Sequence, residues 1–193
     1  MARALLVIDV VRGFLEEGHP LYCGPRARRI LPAIQHLASL EASRGTHILF
    51  VCDHHAADDP EFGLFPPHCI EGSRETELMP ELMGIEGLMV PKTRISAFDG
   101  TTLQQVLKDR NVTDLIVCGV CTDICVMHTV ADARKLGYAV EVPADCVASF
   151  DEKKHGFALD HMQNVLGAKV TPRVNPPVRQ QWDIPQDWLS GAT

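Results

Sequence analysis

The chain has 193 residues, 46% of them hydrophobic, and a formal net charge of -7. That length supports one substantial core and asks for no second domain, so residues 1–193 read as a single domain with its core at about 4–170 and a C-terminal tail at 171–193. The acidic balance, with no dense Lys/Arg tract, argues against a nucleic-acid partner, and the apolar run in "MARALLVIDV" is too short for a membrane span.

Short apolar runs alternate with longer amphipathic stretches along the chain. The runs at 4–10, 47–52, 87–92, 114–120, 139–143 and 168–170 are unbroken, as strands buried on both faces of a parallel sheet are. Helical periodicity covers about 26–43, 101–109, 124–136 and 151–166 between them. This alternation predicts an α/β fold, three-layer αβα, with a central, mostly parallel sheet. Residues 53–86 break the pattern as a long polar stretch, and loops of that length in a compact domain are usually functional. The tail, rich in proline and carrying both tryptophans, is expected to pack on the surface or on a neighbouring subunit of a homo-oligomer. Seven cysteines, an odd count with no pair of CxxC motifs, suggest neither a disulfide framework nor a cysteine zinc site. Buried, reduced thiols in a cytoplasmic protein are expected, and the opening segment has no small-residue cleavage site that would mark a secretory signal.

In an open parallel sheet, ligands sit outside the carboxyl ends of the strands. Asp9 ends the first predicted strand, Asp53 and His55 follow the second, Lys92 ends the third, and "GVCTDIC" (119–125) follows the fourth. Four strands thus bring polar, reactive side chains to one rim. Thr122 and Asp123 are good N-cap residues, which predicts a helix from about Ile124 with Cys125 in its first turn. There the helix dipole would lower the thiol pKa, making Cys125 the candidate nucleophile; the alternative is a small residue packed at a strand-to-helix junction. Cys118 reads as core, and Cys121 as packing or as an oxyanion-hole backbone position. The thiol's support could come from His128 on the same helix or from Asp9 and Lys92 on neighbouring strand ends. Either charged residue could also simply mark the end of its strand.

"LLVIDV" with Asp9, "VPK" with Lys92 and "GVCTDICV" with Cys125 resemble the Asp–Lys–Cys triad of the isochorismatase-like cysteine hydrolases, in matching order across roughly residues 4–170. The resemblance implies a doubly wound sheet, with Asp9 as proton shuttle, Lys92 as charge stabiliser and Cys125 attacking a carboxamide carbon. It also implies an oxyanion hole from the backbone N–H groups of Cys121 and Cys125 and a non-proline cis peptide between Val120 and Cys121. "CDHHAADDPEFGLFPPHC" (52–69) further resembles the metal-binding loop of nicotinamidases. That likeness implies a divalent ion, zinc, iron or manganese, held by Asp53, His55, Glu61 and His68, with Asp59 as the alternative to Glu61. The loop departs from the nicotinamidase pattern at His54, where Trp or Ser is more usual. Phe14 and Phe65 stand where nicotinamidases carry two aromatic rings around the substrate, and Phe98 in "RISAF" is expected at the pocket wall. The implied activity is hydrolysis of a small-molecule amide, nicotinamide to nicotinate and ammonia. The alternatives are a metal-free amidase acting on a carbamoyl, ureido or other small amide, and a catalytically idle binding or assembly protein on the same scaffold.

Overall fold

The computed structural model describes residues 2–172, so the expectation for the tail lies outside the described residues. In chain order the elements are β1 (Ala2–Ile8), α1 (Arg12–Leu15), α2 (Gly24–Arg28), α3 (Leu31–Ser43), β2 (His47–Asp53), β3 (Leu88–Lys92), α4 (Leu103–Asp109), β4 (Val112–Val120), α5 (Met127–Lys135), β5 (Ala139–Pro143), β6 (Val147–Ala148), α6 (Glu152–Asn164) and β7 (Lys169–Thr171). The strands form one sheet in the order β3-β2-β1-β4-β5-β7, with β6 beside β4, and every pairing is parallel.

Alternate residues of the central strands feed two cores. Leu6, Ile8 and Val51 pack with Leu107, Val130 and Met162 from α4, α5 and α6, while Leu5, Val7 and Phe50 pack with Leu31, Ile34 and Ala38 of α3. These are the three layers expected from the sequence. β1 and β4 are the inner strands, and from Ala4 to Ile8 no residue has measurable exposure. At the edge the expectation of burial on both faces fails: Leu88 and Met89 of β3, the outermost strand of the sheet among the described residues, are each 37% exposed. The single helix expected at 26–43 is divided into α2 and α3, and the short α1 has too few turns to show a period in sequence. Among the described residues, no helix is long and apolar enough to cross a membrane.

The strand order runs outward in opposite directions from β1 and β4, so the crevice between their carboxyl ends is a topological switch point. Gly119 makes a close approach possible there: with φ at +115°, a Cβ at this position would lie 2.0 Å from the carbonyl oxygen of Ile8. Only glycine fits. The two strand ends are thereby brought together immediately before Asp9 on one side and Cys121 on the other.

Candidate active site

Asp9 leaves β1 in the left-handed region at φ +53°, an uncommon conformation for a residue with a side chain. Its main-chain N–H donates to the Val51 carbonyl at 3.0 Å, and its carboxylate Oδ1 accepts from the Asp53 N–H at 2.9 Å. The turn is therefore tied to β2. β2 and β3 pair with Asp53 opposite Lys92, which delivers the Lys92 ammonium between two carboxylates. Nζ lies 2.9 Å from Asp9 Oδ2, bonds Asp53 Oδ1, and reaches Cys125 Sγ at 3.7 Å. Asp9, Lys92 and Cys125 are thus brought together, and His128 is not: its ring bonds the Ile124 carbonyl at 2.7 Å on an exposed face.

The turn that carries Cys125 differs from the helix start predicted by sequence. Thr122–Val126 forms a π-helical turn that precedes α5, and neither Thr122 nor Asp123 caps it with a side chain. Those side chains are engaged elsewhere: Thr122 Oγ1 meets His155 Nδ1 at 2.8 Å, and Asp123 accepts from the Ser149 hydroxyl. The Val120–Cys121 peptide is cis. Cys121 and Cys125 both line the site cavity, and Cys118 is buried in the core. The Cys121 sulfur lies 3.4 Å from that of Cys23, and all seven cysteines are free and buried.

The expected lowering of the thiol pKa is also overturned. Burial pushes Cys125 well above its ordinary 9.0, with Asp9 and Asp53 adding to the rise and Lys92 opposing it. That depth of burial favours the protonated sulfur. Asp9 is suited to receive its proton. Burial, then the neighbouring Asp53, raises the Asp9 carboxyl to about 6 against the pull of Lys92. Asp53 goes the other way: burial disfavours its anion, but Lys92, His55 and His68 together hold it below the usual carboxylate range. Asp9 Oδ2 also lacks an aligned hydrogen bond, leaving it able to accept one.

Residues 53–69 gather a second set of groups around Asp53. The His55 main chain is clamped to the chain next to His68, its N–H donating to Cys69 O at 3.0 Å and its carbonyl accepting from Glu71 N at 2.9 Å. Asp53, His55 and His68 each offer a ligand atom within 4.8 Å of the others. Their tautomers are fixed by their outer partners. His68 Nδ1 lies 2.8 Å from the Pro66 carbonyl, which can only accept, and His55 Nδ1 lies 3.1 Å from Asp59 Oδ2. Both Nε2 atoms consequently turn lone pairs toward Asp53 Oδ2, at 3.4 Å from His68 and 3.7 Å from His55. Three acceptors facing one another call for a cation, and His55 Nε2 is buried with no hydrogen bond. Burial disfavours a charged His55, yet Asp53 and Asp59 outweigh it and raise its pKa, the mark of the same deficit. Carboxylate and imidazole donors with lone pairs converging suit a divalent transition ion.

Asp59 and Glu61 take different places from those three. Asp59 orients His55, receives the Glu61 N–H at 2.9 Å and is held by Arg94 at 3.1 Å, so it supports a ligand from behind. Glu61 lines the cavity with Asp53 and His68, and belongs by distance to a grouping with His55 and Asp59. Burial, then Asp53, raises its pKa.

A cavity of about 200 Å³ joins the two sets. Phe14, Phe65, Ile95 and Ile124 supply apolar walls, and Cys125, Asp53 and His68 open into it. Phe14 and Phe65 set their ring edges against His68, with centroids at 5.6 and 6.3 Å. Phe98 is not in this wall: it stacks on Tyr138 at 6.0 Å and packs into the core on the α4–α6 side. Ile95, three residues earlier, occupies the expected place. Sequence reasoning also missed Phe62, whose ring packs on His55 and His68 at 5.3 and 5.7 Å, and Phe150, which lines the cavity from the segment before α6. Phe62 stands in the quoted loop and could have been found there; Phe150 follows an irregular segment with no periodic signal.

A family model for the isochorismatase domain matches residues 3–173. The uncharacterized isochorismatase family protein PncA of Bacillus subtilis is 37% identical over 181 residues, covering 88% of this chain and 99% of the relative. The crystal structure of a pyrazinamidase/nicotinamidase from Streptococcus mutans superposes with a TM-score of 0.84 at 37% identity, over 88% of this chain and 99% of that one. A pyrazinamidase of Pyrococcus horikoshii in complex with zinc gives a TM-score of 0.81 at 27% identity, over 88% and 98%.

Proposed function

The chain belongs to the isochorismatase family, and from that premise we propose that this amide hydrolase acts on nicotinamide, releasing nicotinate and ammonia through a thioester on Cys125. One observation carries the reading: a single narrow cavity holds the Cys125 thiol, the side chains of Phe14, Phe65 and Phe150, and the face of a cation-seeking cluster. A flat heteroaromatic amide has a complementary set of features.

The chain's own residues account for the steps. Phe14 and Phe65 hold the ring and exclude water from its faces, which fixes the carboxamide over the sulfur and removes most of the orientational cost of attack. As the sulfur attacks, its proton passes to Asp9, whose raised pKa lets it accept a proton and then give it up. The backbone N–H groups of Cys121 and Cys125 face the developing oxyanion. Asp9 gives that proton to the amide nitrogen, which leaves as ammonia, and it then takes a proton from the water that cleaves the thioester and returns it to the released sulfur. Lys92 keeps its ammonium between Asp9 and Asp53 throughout, balancing the charge that shuttles beside it. Asp53, His55 and His68, with Glu61 nearby, would hold a divalent ion, zinc being the member of the expected set that a related structure carries; bound there, it would supply a Lewis-acid contact for the ring nitrogen and for water. The seven free thiols suit a reducing compartment such as the cytoplasm.

The test is ammonia release from nicotinamide by purified protein, before and after chelation and after zinc, iron or manganese is returned. Turnover that falls on chelation and returns with one of these ions supports the reading. Full turnover without metal would move the enzyme to the metal-free amidases.

A further inference from the structure

Phe150 lines the cavity at Cys125 and also lines a second, larger cavity of about 470 Å³ on its other side. The second space is mixed in character, bordered by Ile30, Val147 and Ala148 as well as by Arg26 and His155, with Arg26 and Glu152 ion-paired at its edge. The two cavities adjoin at a second point besides Phe150: Cys23 lines the second, and its sulfur lies 3.4 Å from that of Cys121, which lines the first.

The chain on both sides of Phe150 is held in place. Ser149 bonds Asp123 in the nucleophile turn, and Asp151 caps α6 by accepting from the N–H groups of Lys153 and Lys154 at 2.7 and 3.0 Å. His155, one turn into α6, holds Thr122. The segment that positions the nucleophile turn therefore carries the wall as well. Phe150 is nonetheless 49% exposed, so the side chain is no part of the core and its packing does not explain why a large aromatic stands there.

We infer that Phe150 is a specificity-determining residue: it closes the Cys125 cavity against the larger one and restricts the substrate to carboxamides carried on a single ring. The inference deepens the amide-hydrolase reading and rests on it for the identity of the substrate. With Phe150 replaced by a small residue, the two cavities merge on the ring's far side, and a fused two-ring carboxamide gains a place for its second ring.

The experiment compares the parent with Phe150→Ala and Phe150→Trp. The first readout is kcat/KM for ammonia release from quinoline-3-carboxamide divided by that for nicotinamide. The second is the rate of Cys125 alkylation by an N-naphthyl iodoacetamide divided by that for iodoacetamide, which needs no assumption about substrate. Phe150→Ala should raise both ratios by roughly tenfold or more, the size of effect a hydrophobic pocket wall exerts. Phe150→Trp should lower them. Ratios that stay at the parent value in both variants would overturn the inference. If no amide is turned over by any of the three proteins while the alkylation ratio still shifts, the nicotinamide reading fails and the wall stands.

Discussion

Asp9, Lys92 and Cys125 owe their meeting to hydrogen bonding between neighbouring strands, whereas His55 and His68 meet because a loop folds back on itself. In the first region the cation is part of the chain: one buried ammonium serves two carboxylates and faces the Cys125 sulfur. In the second, the Nε2 atoms of His55 and His68 converge on Asp53 Oδ2, the carboxylate oxygen that Lys92 does not bond. The difference teaches that the strand-end cluster is assembled by the fold, while the loop cluster, on the proposed reading, would be completed by an ion. Removing charge should therefore damage the first region through chemistry and stability, and the second through ligand binding.

The largest effect should follow Asp9→Asn. The amide keeps the shape and can still receive the Asp53 N–H, but it takes no proton, so turnover should fall by roughly 10²–10⁴-fold or more with nicotinamide binding retained. Steady-state ammonia release and calorimetric binding of nicotinamide check the two halves.

Lys92→Met should show how far the strand-end region depends on its single cation. Removing one partner from a buried ionic cluster costs about 3–5 kcal/mol, which denaturant unfolding would register. The sign of the pH effect follows from the thiol's environment. Lys92 opposes the rise in the Cys125 pKa, so its loss raises that pKa further and moves the onset of alkylation to higher pH. In the parent, the alkylation rate should already keep climbing beyond pH 9.0, the ordinary thiol value. An unchanged profile in Lys92→Met would break the distinction between the regions, because the turn alone would then govern the thiol.

In the loop region the effects should be smaller and specific to metal. His68→Ala should abolish stoichiometric binding of a divalent ion, whereas Asp59→Ala, which only removes the group behind His55, should weaken metal affinity by about 10–100-fold. Elemental analysis and competition with a chromophoric chelator measure both. Equal loss in the two variants would make Asp59 a ligand in its own right.

How much of this was legible in the sequence follows the same division. Asp9, Asp53 and Lys92 could be read at strand ends because an apolar run that stops at a charged residue marks both the strand and its rim. The layers and parallel sheet follow from the same runs. Burial depth could not be read, and it reverses the expected direction of the Cys125 pKa. Nor could the engagement of Thr122 and Asp123 with α6 and its preceding segment, which turns two apparent caps into tethers and leaves a π-helical turn. Asp59 stood in the loop as a candidate ligand, but its role depends on which way a single imidazole faces. Phe98 was misplaced because a short irregular segment gives no phase from which to say which side chain points inward.

The central claim is that Cys125 carries the acyl group. Mass spectrometry of protein quenched during nicotinamide turnover tests it most directly. A nicotinoyl adduct on the peptide containing Cys125, absent from Cys125→Ala together with all ammonia release, is the predicted result. Continued ammonia release by Cys125→Ala, or an adduct on any other residue, would contradict it.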